Sequence, residues 1–167
     1  GGAHRLRVGT QAQGPLRILD QGCGNGSFAH CVARRFPDCE VHGVELTAAG
    51  VDYARAHFTA PNLTIWQADG YAVGRPGHYD LVYHLNVLEH VPDKESYLGA
   101  GAELLRDHGT LIALFPTERY WQFWGFPKYA LCRLLRRPFR IHGYSDRAAS
   151  ASLARHGLAT QTKTFHV

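Results

Sequence analysis

The residues best equipped for chemistry are three acids and a run of glycines. Gly22, Gly24 and Gly26 follow the short apolar run Arg17-Ile18-Leu19-Asp20, so an acid stands just ahead of the glycines. Glycine lets a ligand approach main-chain N–H groups with no Cβ in the way, although a tight strand–helix turn could need the same residues with no ligand at all. Glu45, with Leu46 behind it, ends a second apolar run, where a carboxylate can accept both hydroxyls of a ribose. Asp69-Gly70 ends a third, where a carboxylate can accept from an adenine amino group. A dinucleotide fingerprint would place its third glycine at the position held by Ser27. An acid before the loop also suits a cationic amine and disfavours a diphosphate. The ligand these residues call for carries an ammonium, a ribose and an adenine, and no phosphate.

The elements that must position these residues alternate along the chain. Residues 17–20 read as a first strand and 27–36 as a helix, with Phe28, Ala29, Val32, Ala33 and Phe36 on one face. Residues 40–45 read as a second strand, followed by a helix capped by Thr47 that carries Val51, Ala54 and Phe58 inward. Residues 63–68 and 79–85 read as the third and fourth strands. Pro92-Asp93 opens a helix to about Leu105 with Gly109 just past its end, and 110–115 reads as a strand covered on both faces. A helix over 146–156 and a final strand near 158–167 complete the reading. This alternation predicts an α/β three-layer sandwich: a mostly parallel, Rossmann-like sheet with helices on both faces and an aromatic, basic insert after strand five. Such sheets bind ligands beyond the carboxyl ends of their strands, which is where the glycines and acids fall.

The segment Ile18-Leu19-Asp20-Gln21-Gly22-Cys23-Gly24-Asn25-Gly26 resembles motif I of the class I S-adenosylmethionine-dependent methyltransferases. Val44-Glu45, Ala68-Asp69-Gly70, the stretch from Tyr79 through Leu88-Glu89-His90 to Asp93, and Leu104-Leu105-Arg106 through Gly109-Thr110-Leu111 resemble further family segments in order. The likeness runs through residues 16–117, more loosely through 142–167, and is similar to the small-molecule, ubiquinone-pathway type. It implies that Asp20, Gly22, Gly24 and Gly26 line S-adenosyl-L-methionine and that Glu45 and Leu46 meet its ribose. It further implies that Asp69 and Gly70 reach the adenine and that the Leu85 carbonyl meets the methionine ammonium. Gln21 departs from the pattern, since an apolar residue is more usual there. The implied activity is methyl transfer to a small-molecule or lipid-like acceptor, on oxygen sooner than on nitrogen or carbon. Two alternatives stand beside it: a non-catalytic S-adenosylmethionine-binding module, which the intact acids disfavour, and an NAD-dependent oxidoreductase, which the glycine spacing disfavours.

Displacement at a sulfonium methyl asks the protein mainly to align donor and acceptor, and a base is needed only if the acceptor must lose a proton early. The candidates are His84, His90, Tyr120, His142 and Tyr144. His142 is read as a base or acceptor contact, against a solvated loop histidine. His90 is read as a second catalytic candidate, against a loop-ordering role. Some ubiquinone-pathway O-methyltransferases resemble this segment and hold a metal through Glu-x-x-Glu-His; here Asn86 stands at the first position, and no metal is expected.

The 167 residues carry 18 Lys+Arg against 14 Asp+Glu, a net charge of +4. Arg119, Lys128, Arg133, Arg136, Arg137 and Arg140 lie in an aromatic stretch with no acid, so the remainder of the chain is slightly acidic. This stretch reads as a lid helix with a solvated face, as a peripheral contact with anionic membrane lipid through 119–140, or as a contact for an anionic acceptor. One short basic stretch is a poor nucleic-acid footprint, and no base-flipping motif follows strand four. No apolar run approaches the ~18–20 residues that span a bilayer. Residues 1–14 show no signal-peptide core, and four cysteines without a Cys-x-x-Cys pair fit a reducing, cytoplasmic setting. The expected organisation is one domain over 1–167, with a cofactor core at 16–117, an acceptor-side insert at 118–145 and a last helix and strand at 146–167. The N-terminal helices and antiparallel seventh strand usual in the family fall outside it.

Overall fold

Short apolar runs become strands, and the computed structural model, which describes residues 14–116 and 144–163, arranges them in one sheet. The elements are β1 (Arg17–Gln21), α1 (Ser27–Arg35), β2 (Glu40–Glu45), α2 (Ala48–His57), β3 (Leu63–Gln67), β4 (Tyr79–Leu85), α3 (Lys94–Leu104), β5 (Leu105–Leu114) and α4 (Asp146–Arg155). The strand order is β3-β2-β1-β4-β5. β1 pairs parallel with β2, from Arg17 opposite Glu40 to Gln21 opposite Val44, and parallel with β4 on its other side. β2 pairs parallel with β3. The order reverses between β1 and β4, the switch point at which such sheets take ligands.

Side chains alternate across the sheet. One face is packed by α1 and α2, both lying on β2 and β3. Ile18, Val41 and Ile65 of that face and Ala29, Ala33, Val51 and Ala54 of the helices are buried. On the other face Leu19, Val44, Tyr79, Val82 and Leu104 form a core with Trp66, Val73 and Leu105 packed against it. The described residues group into two compact units: 14–84 with 100–113, and 85–99 with 114–116 and 144–163. In the second unit Gly99 leaves room for the His156 ring, which a Cβ would meet at 2.7 Å. Glu95 there accepts from Arg155 at 2.5 Å.

The structure departs from expectation at four places. α3 ends at Leu104, within a residue of the expected end, and its last carbonyls accept from outside the helix: Gly77 N donates to the Glu103 carbonyl and His78 N to that of Leu104, each at 2.9 Å. Gly109, expected just past that end, lies instead inside β5, next to His108 with φ 63°. β5 is an edge strand, and with Ile112 48% and Leu114 45% exposed it is not covered on both faces by the described residues. Residues 158–163 form no strand, and 164–167 lie outside the described residues. On α1, Ala29 and Ala33 are buried as expected whereas Phe28 is half exposed, set edge-on to Tyr83 at 5.5 Å.

Candidate cofactor site

The carboxyl ends of three neighbouring strands are tied together by the main chain. Gly22 N and Cys23 N both donate to the Val44 carbonyl, at 3.0 and 2.8 Å, and Ala68 N donates to the Glu45 carbonyl at 3.1 Å. Gln67 Nε2 donates to the Leu46 carbonyl at 3.0 Å, while the Leu46 side chain is exposed. Asp20, Glu45 and Asp69 therefore stand in a row within the first unit, with Gly22, Gly24 and Gly26 beside the first of them.

The glycines divide by task. Gly24 has φ 55°, and a Cβ on it would meet nothing within 4 Å, so the main chain there is open to a ligand. Gly26, with φ 79°, is the N-cap of α1 and has no such space: its Cβ would fall 2.8 Å from Ala54 Cβ and 2.9 Å from Ile65 Cδ1. Its role is to let α1 start close against α2 and β3. The α1 N-terminus has no side-chain cap and no acid in its first turn.

Each acid is held differently. Asp20 is buried, and burial pushes its carboxyl up to about 7, with the nearby Tyr83 hydroxyl pulling the other way. The Cys23 thiol beside it is pushed up to about 12 by burial, then by the charges of Asp20 and Glu45. None of these neighbours is a cation, so a positively charged ligand group would relieve the unfavourable charge. Glu45 Oε1 accepts from Thr47 N at 3.0 Å and from Thr47 Oγ1 at 2.7 Å. Thr47 Oγ1 also accepts from Gly50 N at 3.2 Å, capping α2 as its sequence position predicts. A Cβ at Gly50 would sit 2.8 Å from Glu45 Cγ, so this glycine is what lets the carboxylate fold over the helix start. Asp69 is exposed, and its Oδ1 accepts from Tyr71 N at 3.0 Å. Gln21, Gly50 and Tyr83 contribute to the site without having been expected; only the irregular residue at position 21 was visible as a signal in the sequence.

The other expected residues are dispersed. Leu85 is the last residue of β4, in the second unit. His90 is exposed in the turn that His90 N closes on the Val87 carbonyl at 2.8 Å. His84 is fully buried, and burial pushes its ring down to about 4, which is core packing and not a solvent-reached base. Tyr144 lies in the second unit, 5.8 Å from the Phe115 ring, with Lys94 over its own ring at 6.0 Å. Tyr120, His142 and the 119–140 stretch lie outside the described residues. Among the described residues no cluster of three His, Cys, Asp or Glu side chains could hold a metal, and no helix is long and apolar enough to cross a membrane.

Comparison with known proteins gives the same picture. The family model described as "Methyltransferase domain" matches residues 18–109. The chain is 32% identical over 133 residues to the ubiquinone biosynthesis O-methyltransferase of Bartonella tribocorum, covering 77% of this chain and 53% of that protein. It is 36% identical over 97 residues to the enzyme of the same name from Pectobacterium carotovorum, covering 56% and 40%. The chain thus spans about half the length of the curated relatives it matches. In fold it is similar to a geranyl diphosphate methyltransferase solved with GPP and sinefungin, with a TM-score of 0.72 at 20% identity over 93% of this chain and 56% of that one. A strand-end row of acids, a glycine turn open at Gly24 and a family model spanning both converge, and the chain belongs to the class I S-adenosylmethionine-dependent methyltransferase family.

Proposed function

We propose that this chain binds S-adenosyl-L-methionine at the Asp20–Glu45–Asp69 row and transfers the methyl group to an oxygen of a small-molecule or lipid-like acceptor. The observation that carries the reading is the buried Asp20, which has no cation beside it among the described residues, next to main chain left open at Gly24. The cofactor supplies the activated methyl group. Asp20 is assigned to its positive charge, Glu45 to the ribose hydroxyls and Asp69 with Gly70 to the adenine, while the Leu85 carbonyl keeps the ammonium role that the family resemblance implies. The relatives' printed names, ubiquinone biosynthesis O-methyltransferase, favour an oxygen acceptor. His142 is assigned as base or acceptor contact, with His90 as the second candidate. The 119–140 stretch is assigned to an anionic acceptor or an anionic membrane surface, in a cytoplasmic setting.

Calorimetry tests the cofactor half: S-adenosylhomocysteine is expected to bind and NAD is not, and the reverse result would end the reading. His142→Ala tests the acceptor half. Turnover should fall while S-adenosylhomocysteine affinity holds, and unchanged turnover removes His142 from the reaction.

A further inference from the structure

β1 ends on a fully buried glutamine. It shares a sheet face with Leu19, His42 and Val44, where an apolar side chain would fill the space, and a buried amide is unfavourable unless it is hydrogen-bonded. Gln21 Nε2 donates to the Gly70 carbonyl at 2.8 Å, reaching 49 residues along the chain to the turn after β3. That turn otherwise holds itself together: Tyr71 N donates to Asp69 Oδ1 at 3.0 Å and Ala72 N to the Asp69 carbonyl at 2.9 Å. On the far side the amide lies against α3 at a position with no side chain, where a Cβ on Gly101 would come 2.7 Å from Gln21 Oε1.

We infer that Gln21 is a positioning residue: its amide, given room by Gly101, pins the Asp69–Tyr71 turn to the end of β1 and so sets the affinity for the nucleoside end of the cofactor. The inference rests on the cofactor site proposed above. It explains why a polar side chain stands in an otherwise apolar position, and why the helix that crosses it carries a glycine there. The bond acts at the turn and not at the methionine end, so its loss should weaken the free nucleoside as much as the whole cofactor.

The test is calorimetry on the full chain with S-adenosylhomocysteine and with adenosine. Gln21→Leu is expected to weaken both by a similar factor of about tenfold, the scale of one amide–carbonyl bond, in a chain still folded at the assay temperature. In an Asp69→Ala background the same change should cost less than about twofold, because two changes acting through one turn are not additive. Gly101→Ala, which crowds the amide but keeps the donor, should weaken both ligands in the same direction and by less, and it decides the matter if Gln21→Leu does not fold. Equal binding by wild type and variants, or an equal loss with and without Asp69, overturns the inference and leaves the cofactor site standing. No binding of S-adenosylhomocysteine by the wild type overturns both.

Discussion

At the amino ends of β1 and β2, Arg17 and Glu40 lie opposite each other in register and pair at 3.3 Å. Glu40 also meets His42 Nε2 at 3.0 Å, and His42 Nδ1 meets the Tyr79 hydroxyl at 3.0 Å. Burial pushes the His42 ring down, so a neutral ring that donates to Glu40 and accepts from Tyr79 satisfies both contacts. Asp80 accepts from Arg17 N and pairs with Arg106, and Arg75 covers the Trp66 ring at 5.0 Å. At the carboxyl ends of the same strands the arrangement is inverted. Among the described residues neither Asp20 nor Glu45 is paired with a cation, and the turn beside Asp20 is built from glycines with positive φ. Both clusters are rich in acids, but only one leaves its acids uncompensated. Uncompensated charge is what separates a candidate binding site from a structural network when both are equally polar.

That contrast can be broken from either end. The largest expected effect is at the open end: Glu45→Ala should weaken S-adenosylhomocysteine by about 100-fold, since two hydroxyl bonds to a charged acceptor are lost. Calorimetry reads this, and an effect below about tenfold would remove Glu45 from the ribose site. At the closed end, His42→Ala should cost about 2–3 kcal/mol of stability by denaturant titration, through the lost ring volume and the stranded Tyr79 and Glu40 groups, with ligand affinity unchanged. A loss of affinity as large as that of Glu45→Ala would erase the distinction between the two ends.

The smallest effect is in pH. Asp20 sits among Tyr83, Cys23 and Glu45, and its carboxyl is raised to about 7, so it is neutral below that pH and charged above it. A cationic ligand prefers the charged form, so affinity should rise with pH and level off above about 7, with roughly tenfold weaker binding one unit below that point. The ligand-free chain should show the opposite trend. For an acid whose folded pKa is raised, the stabilising contribution is full below the unfolded value of 3.8 and is lost as pH climbs to about 7. Asp20→Asn should flatten both profiles, and a profile unchanged by that substitution would assign the titration to another group.

Much of this was legible because the signals are local. Thr47 precedes its helix by one residue, and short β-branched or aliphatic stretches mark β1, β2 and β4, although their burial on both faces, which takes in Asp20, Gln21, His42 and Asp80, was not announced by an apolar pattern. β5 misled because Gly109 resembles a helix stop, whereas the last carbonyls of α3 accept from the amides of Gly77 and His78 on the approach to β4. The acids and glycines of the candidate site were named from their places at the strand ends and from the family resemblance. What could not be read was which glycine serves packing, as Gly26 does against Ala54, and which serves openness, as Gly24 does. The partner of Gln21 is 49 residues away, and no local pattern points to it.

The Thr47 hydroxyl has a consequence for how occupancy of the site could be observed. The same oxygen donates to Glu45 and accepts from Gly50 N, so one group serves both the acid and the first turn of α2. A ligand that draws on the Glu45 carboxylate therefore tugs on a helix start it does not touch. α2 becomes a built-in gauge, and the amide protection of its first turn should report a filled site from outside it.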